Sequence, residues 1–175
     1  MIGVQAHSTP TVEFFQDAFA ALSRGDLGVL RSMFHSEVEW HLPGDPQKNP
    51  HAGIYLGPDA VEAFLQGLID ATDGTLAMPV HDVLATGYFQ GGINGRHSVV
   101  LGRAEARKQG KVLSSSDVFV FHIRDDPAVG AERLGLICWF PEDQYDADDF
   151  WSPGGRESAE ATSGSRPQCA CQQDH

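Results

Sequence analysis

The hydrophobic period of this chain changes at Gly74, and that change limits the folds open to it. Before Gly74, apolar residues recur at steps of three and four. Val12, Phe15, Phe19 and Leu22 make one stripe, widened by Phe14 and Ala18, and Val61, Phe64, Leu65 and Leu68 make another. Such spacing puts each set on one face of a helix. After Gly74 the runs 76–86, 96–107, 112–124 and 134–140 read as strands, parted by Gly-Gly, Gln-Gly and Asp-Asp-Pro turn signals. Helices first, then strands joined by short turns, predict an α+β domain with three helices on one face of a curved antiparallel sheet.

Local punctuation sets the expected boundaries. Thr9-Pro10 has the form of an N-cap followed by a proline at the first helical position. Gly25 ends the first helix, and Asp26 can cap a second, running to about Phe34 with Leu27, Leu30 and Phe34 buried. Val38 to Leu42 reads as a short strand stopped by Pro43-Gly44, and 45–57 as a loop. Gly57-Pro58-Asp59 then opens the third helix. From Ser152 onward the chain is rich in Gly, Ser, Glu and Gln without apolar period, so it cannot offset its ordering entropy and is expected to be disordered. The predicted organisation is an extension at 1–10, one domain at 11–151 and a tail at 152–175.

Charge and cysteine usage narrow the class. Lys and Arg number 12 against 24 Asp and Glu, a net charge of -12, which a phosphate backbone would repel; nucleic acid is not an expected partner. The apolar runs fall far short of a membrane span, and Met1 to Pro10 lacks the basic start and apolar stretch of a signal peptide. Cys138 lies in an apolar run and reads as a core thiol, while Cys169 and Cys171 lack the partners of a zinc site. A reduced, cytoplasmic setting is the expectation. No Gly-rich phosphate loop, Cys-x-x-Cys or Ser-His-Asp spacing is seen, so no cofactor is expected.

Four segments, in order, carry a family likeness. Phe34 to Gly44 includes Val38-Glu39-Trp40-His41-Leu42-Pro43-Gly44, and Ala52-Gly53-Ile54-Tyr55-Leu56-Gly57-Pro58-Asp59-Ala60-Val61 leads into the third helix. Ser116 to Phe121 and Phe140 to Tyr145 follow, with Asp148-Asp149-Phe150-Trp151 as a closing segment. Together they resemble the SnoaL-like polyketide cyclases of the NTF2-like superfamily, from about Thr11 to Trp151. The resemblance implies a cone enclosing an apolar pocket, a homodimer through the open sheet face, and an apolar small-molecule ligand of polyketide or terpenoid type. It also implies cofactor-independent cyclisation, isomerisation or dehydration. The superfamily includes proteins without catalysis, so a binding or dimerisation module with the same pocket is the alternative.

Asp117 is the first candidate for chemistry. It interrupts an apolar strand, and alternation puts it on one face with Ser115, Phe119 and Phe121. A carboxyl in an apolar cavity has a raised pKa and can act as a general acid near neutrality; the plainer reading is a strand aspartate bonded to backbone or to arginine. The resemblance places Asp117 where epoxide-hydrolase relatives keep an acid. Their preceding arginine is Ser115 here, and their second aspartate falls in Cys138-Trp139-Phe140-Pro141. His41 stands near the base position of ketosteroid isomerase-like relatives and can serve as a base, or can face the turn or solvent. Trp40, Tyr55, Phe119 and Trp139 are candidate pocket walls or plain core, with Tyr55 also a hydroxyl donor. Arg96 and His97 are candidate oxyanion contacts at the pocket mouth or a solvated strand start. The acidic run from Glu142 to Asp149 reads as a solvated turn rather than a metal site.

Overall fold

Helix α1 (Val12–Ser23) buries Phe15, Ala18, Phe19 and Leu22, the stripe expected from the sequence. A computed structural model of the chain describes residues 12–88, 96–126 and 128–153. The Thr9-Pro10 cap, Cys169, Cys171 and the tail beyond 153 lie outside the described residues. Gly25, at φ +71°, ends α1 with its N–H donating to Leu22 O at 2.9 Å. The side chain of Asp26 accepts from Val29 N at 3.3 Å and starts α2 (Leu27–Arg31), a single short helix. It stops earlier than the spacing predicts, because Phe34 already belongs to β1 (Phe34–Leu42).

The segment expected as a loop contains β2 (Gly53–Leu56), paired antiparallel to β1 with Trp40 opposite Tyr55. Helix α3 (Pro58–Ala71) follows with Pro58 in its first turn and Val61, Phe64, Leu65 and Leu68 buried. Four strands complete the sheet: β3 (Val80–Tyr88), β4 (Arg96–Lys108), β5 (Lys111–Asp126) and β6 (Ala131–Pro141). Gln109 and Gly110, both at positive φ, turn β4 into β5, the backbone signature of a tight two-residue hairpin. The order is β2-β1-β6-β5-β4-β3. Every neighbouring pair is antiparallel except β1 and β6, which run parallel. The all-antiparallel sheet expected from short turns is thus corrected at one seam: the meander returns to β1 only after a long excursion, and that connection sets no antiparallel direction.

A fourth helix, α4 (Gln144–Trp151), replaces the solvated acidic turn. Asp143 caps it, accepting from Tyr145 N at 2.8 Å and Asp146 N at 3.2 Å, while Ala147, Asp148, Phe150 and Trp151 are buried. The buried Asp148 accepts from Gln144 Nε2 at 2.9 Å and from Asp45 N at 3.3 Å, fastening α4 to the loop after β1. Gly44 is required at that contact. It sits at φ +148°, and a Cβ there would lie 2.7 Å from Asp148 Oδ1.

Helices and sheet enclose a filled interior. Phe15 meets Phe121 with ring centroids 4.9 Å apart, Phe19 meets Phe119 at 4.7 Å, and Phe64 meets Trp40 at 5.8 Å. The apolar chamber implied by the resemblance is occupied by these rings. A recess of about 10 Å³ lies among Phe19, Leu22, Leu30, Trp40, Phe121 and Leu134.

Candidate functional site

The two-residue period of β5 sends Leu113, Asp117, Phe119 and Phe121 inward and Val112, Ser114, Ser116 and Val118 outward. Asp117 therefore carries its carboxyl into the core, 2% exposed. Three donors meet it. Trp139 Nε1 donates to Oδ2 at 2.7 Å, the Ser115 hydroxyl donates to Oδ1 in a very short contact, and the backbone N–H of Glu142 also points at it. Burial pushes the carboxyl up from the ordinary carboxylate range; the three donors pull it back without cancelling that effect. The arginine considered as a partner from the sequence is absent from these contacts.

A groove of about 620 Å³ opens between the start of β5 and α4, lined by Lys111, Leu113, Ser115, Glu142, Asp146 and Phe150 among others. Ser115 thus stands between the Asp117 carboxyl and the groove. Sequence reasoning recorded Ser115 as the site of a missing arginine and did not give it a role. The signal that points to it is its position two residues before Asp117, on the same face of the strand.

His41 is elsewhere. On β1 Trp40 and Leu42 are buried while Glu39 and His41 are half-buried on the opposite, outer face. His41 Nε2 lies 3.0 Å from Glu39 Oε2. It lines a cavity of about 360 Å³ with Pro43, Ile54, Cys138 and Phe140. The structure therefore corrects the pairing of His41 with Asp117: the two side chains leave opposite faces of one sheet, and no ligand atom in either cavity reaches both. Cys138, aligned with His41 across the parallel seam, is also on the outer face rather than in the core.

The remaining candidates divide the same way. Trp40, Phe119 and Trp139 are buried on the inner face, where Phe119 and Trp139 stack at 5.6 Å. Trp139 is more than a wall, since it holds Asp117. The Tyr55 ring stacks on Phe64 at 4.0 Å, and its hydroxyl donates to His51 O at 2.7 Å, so it is engaged as a strut. His97 stacks on His122 at 4.6 Å. Its strand neighbours Ser98 and Val100 are the inward ones, so His97 is on the outer face and not at an inner pocket mouth. Arg96 opens β4 opposite Ile123; its side chain lies outside the described residues. Among the described residues no group of three or more His, Cys, Asp and Glu is placed to hold a metal ion. No helix there is long and apolar enough to cross a membrane.

Among the described residues, four helices lie against a curved, open six-stranded sheet, the architecture of the NTF2-like cones. The SnoaL-like domain model matches residues 15–130, and the chain belongs to that family. An uncharacterised protein of Mycobacterium tuberculosis is 29% identical over 141 residues, covering 81% of this chain and 95% of its own length. Among solved structures, Bal32a from a soil-derived mobile gene cassette superposes with a TM-score of 0.65 at 26% identity, covering 79% of this chain and 94% of that one. A ketosteroid isomerase-like protein from Erwinia carotovora shares the fold, with a TM-score of 0.54, 13% identity, and coverage of 72% and 88%.

Proposed function

We propose that this chain is a cofactor-independent acid–base enzyme of the SnoaL-like type, an isomerase, cyclase or dehydratase, with Asp117 as its one proton-transfer group. The observation that carries this reading is a carboxyl buried among aromatic rings, raised in pKa, and separated from an open groove by a single hydroxyl. When protonated on Oδ1, Asp117 donates to Ser115 Oγ, and the Ser115 proton passes to a substrate atom in the groove. Running in reverse, the same pair removes a proton. Trp139 and the Glu142 N–H hold the carboxylate form of Asp117, which is left by donation and is the starting state for abstraction. Val112, Leu113 and Phe150 are the apolar members of a mainly polar lining, and Glu142, Asp143, Asp146 and Asp149 repel anions. A neutral polyketide- or terpenoid-like molecule suits both. The working setting is cytoplasmic, and the partner is a second copy covering the outer face, where Ile54, Leu56, Val118 and Phe140 are exposed.

The alternative is a binding module, and one observation favours it: Asp117 already has three donors, as a structural tie between β5 and β6 would. Incubating wild type, Asp117→Asn, Ser115→Ala and His41→Ala with candidate polyketides, terpenoids and epoxides, followed by mass spectrometry, separates the two. The enzyme reading expects roughly 10²–10⁴-fold loss of turnover in Asp117→Asn, a smaller loss in Ser115→Ala, and little change in His41→Ala. Turnover unaffected by Asp117→Asn sinks it. Thermal stabilisation by a ligand that wild type never converts selects the binding module.

A further inference from the structure

Cys138, His41 and Glu39 have no part in the proton transfer proposed above, and the fold gathers them on the outer sheet face. His41 and Cys138 are aligned across the parallel seam of β1 and β6, and both line the cavity of about 360 Å³. Across that face one row reads Ile54, His41, Cys138, Val120, so the thiol has the imidazole on one side and a hydrocarbon on the other. Adjacent strands are spaced by about 4.8 Å, which lets a thiol and an imidazole at facing positions exchange a proton directly or through one water. Pro43, Pro46, Ile54 and Phe140 supply apolar walls. The volume falls in the range of about 300–1,000 Å³ common to small-molecule sites.

The His41–Glu39 pair decides which ring nitrogen is free. A carboxylate only accepts, so at 3.0 Å His41 Nε2 donates to Glu39 Oε2, and the neutral ring keeps its lone pair on Nδ1. The imidazole is thereby held in one tautomer with a proton acceptor to spare. Burial, aided by the Glu39 charge, pushes the Cys138 thiol up. The thiol therefore stays protonated near neutrality and is slow toward reagents arriving from water. It needs a base at the moment of attack, and His41 is the neighbouring one.

We propose that this outer cavity is a second site, which binds an apolar α,β-unsaturated carbonyl compound and joins it covalently to Cys138. His41 Nδ1 takes the thiol proton as Sγ bonds to the β-carbon. The electron pair of the carbon–carbon double bond moves into the enolate, and the α-carbon then takes the proton back from His41. The balance is addition of S–H across one double bond, with no outside oxidant or reductant. The site goes beyond the Asp117 activity and does not rest on it, since the two lie on opposite faces of the sheet.

The chain has three cysteines, so Cys169→Ser with Cys171→Ser leaves Cys138 as the single thiol of the full chain. Phenyl vinyl ketone is the probe, and acrylamide is the comparator without an apolar body. Each labelling rate, followed by intact mass, is divided by the rate of the same reagent with glutathione. Labelling by phenyl vinyl ketone is expected to saturate with concentration. Its normalised rate should exceed that of acrylamide by about tenfold or more, the effect of burying one phenyl group. His41→Ala should lower the limiting rate by about 10²-fold and keep the half-saturating concentration. Free imidazole should restore part of that rate, which a merely structural role would not allow. Saturation and the reagent preference are read without His41→Ala, so the test stands if that variant folds poorly. Leu56→Lys is run alongside, so that a second copy covering the face is not mistaken for a missing site, and saturation in either form upholds the proposal. Labelling linear in phenyl vinyl ketone in both forms, a normalised rate equal to that of acrylamide, or an unchanged limiting rate in a folded His41→Ala would each overturn it. None of these readouts depends on turnover at Asp117.

Discussion

The two faces of the sheet are built from alternate residues of the same strands, yet they do different work. The inner face is closed: Phe119, Phe121, Trp40 and Trp139 are buried, and so is Asp117, held by Trp139 and Ser115. The outer face is open and apolar in patches, with Ile54 62%, Leu56 64% and Phe140 47% exposed, and its polar groups include the His41–Glu39 pair, the His97–His122 stack and the Arg103–Glu105 pair. A single step along β1, from Trp40 to His41, crosses from one regime to the other. Chemistry that needs water excluded belongs on the inner side; association with another surface belongs on the outer side.

The sharpest way to break this contrast is to truncate neighbouring residues. Phe119→Ala should cost about 3–5 kcal/mol of stability by opening a core cavity, while Val118→Ala, one residue away and 36% exposed, should cost well under about 1 kcal/mol. Urea denaturation compares them, and similar losses would mean that the alternation along β5 is not what organises the core. Next in size is the outer face. Leu56→Lys should shift sedimentation from dimer to monomer with the melting behaviour of the monomer kept. A wild type that sediments as a monomer at every concentration would leave the exposed patch with another partner.

Titration gives smaller, more diagnostic effects. The folded pKa of Asp117 is raised by burial, so its contribution to stability is full below the ordinary carboxylate range and is lost as pH rises through the folded value. The stability of wild type relative to Asp117→Asn should therefore grow as pH falls from neutral into the acid range. A difference that does not change with pH would place the carboxyl in water. His122 runs the other way. Burial, with His97 and Arg124 nearby, lowers its pKa, so its contribution is full above the ordinary histidine value of 6.5 and is lost as pH falls from there toward the folded value. His122→Leu should flatten the acid loss of stability in that window, by the smallest margin of the four.

Much of the fold was legible because it rests on periodicity. The stripes of α1 and α3 and the long strands β4 and β5 follow from where apolar residues recur, and turns such as Gln109-Gly110 from local backbone preference. Elements with little pattern of their own were missed. Gly53 to Leu56 is too short to show alternation and becomes a strand through pairing with β1. Gln144 to Trp151 is mostly acidic and becomes a helix through its Asp143 cap and the burial of Phe150, Trp151 and Asp148.

The candidate site divides along the same line. Asp117 could be picked out because a carboxylate in an apolar strand is costly, and that cost is visible in sequence. Its donors Trp139 and Ser115, and the separation of His41 from it, were not. By itself, the sequence determined the helix-then-strand order, the buried faces and the oddity of Asp117, since each depends on residues a few positions apart. The tertiary structure alone decided the parallel seam between β1 and β6, the partners of Asp117, and which face received His41. Those depend on register between strands distant in the chain, where a shift of one residue exchanges inside for outside.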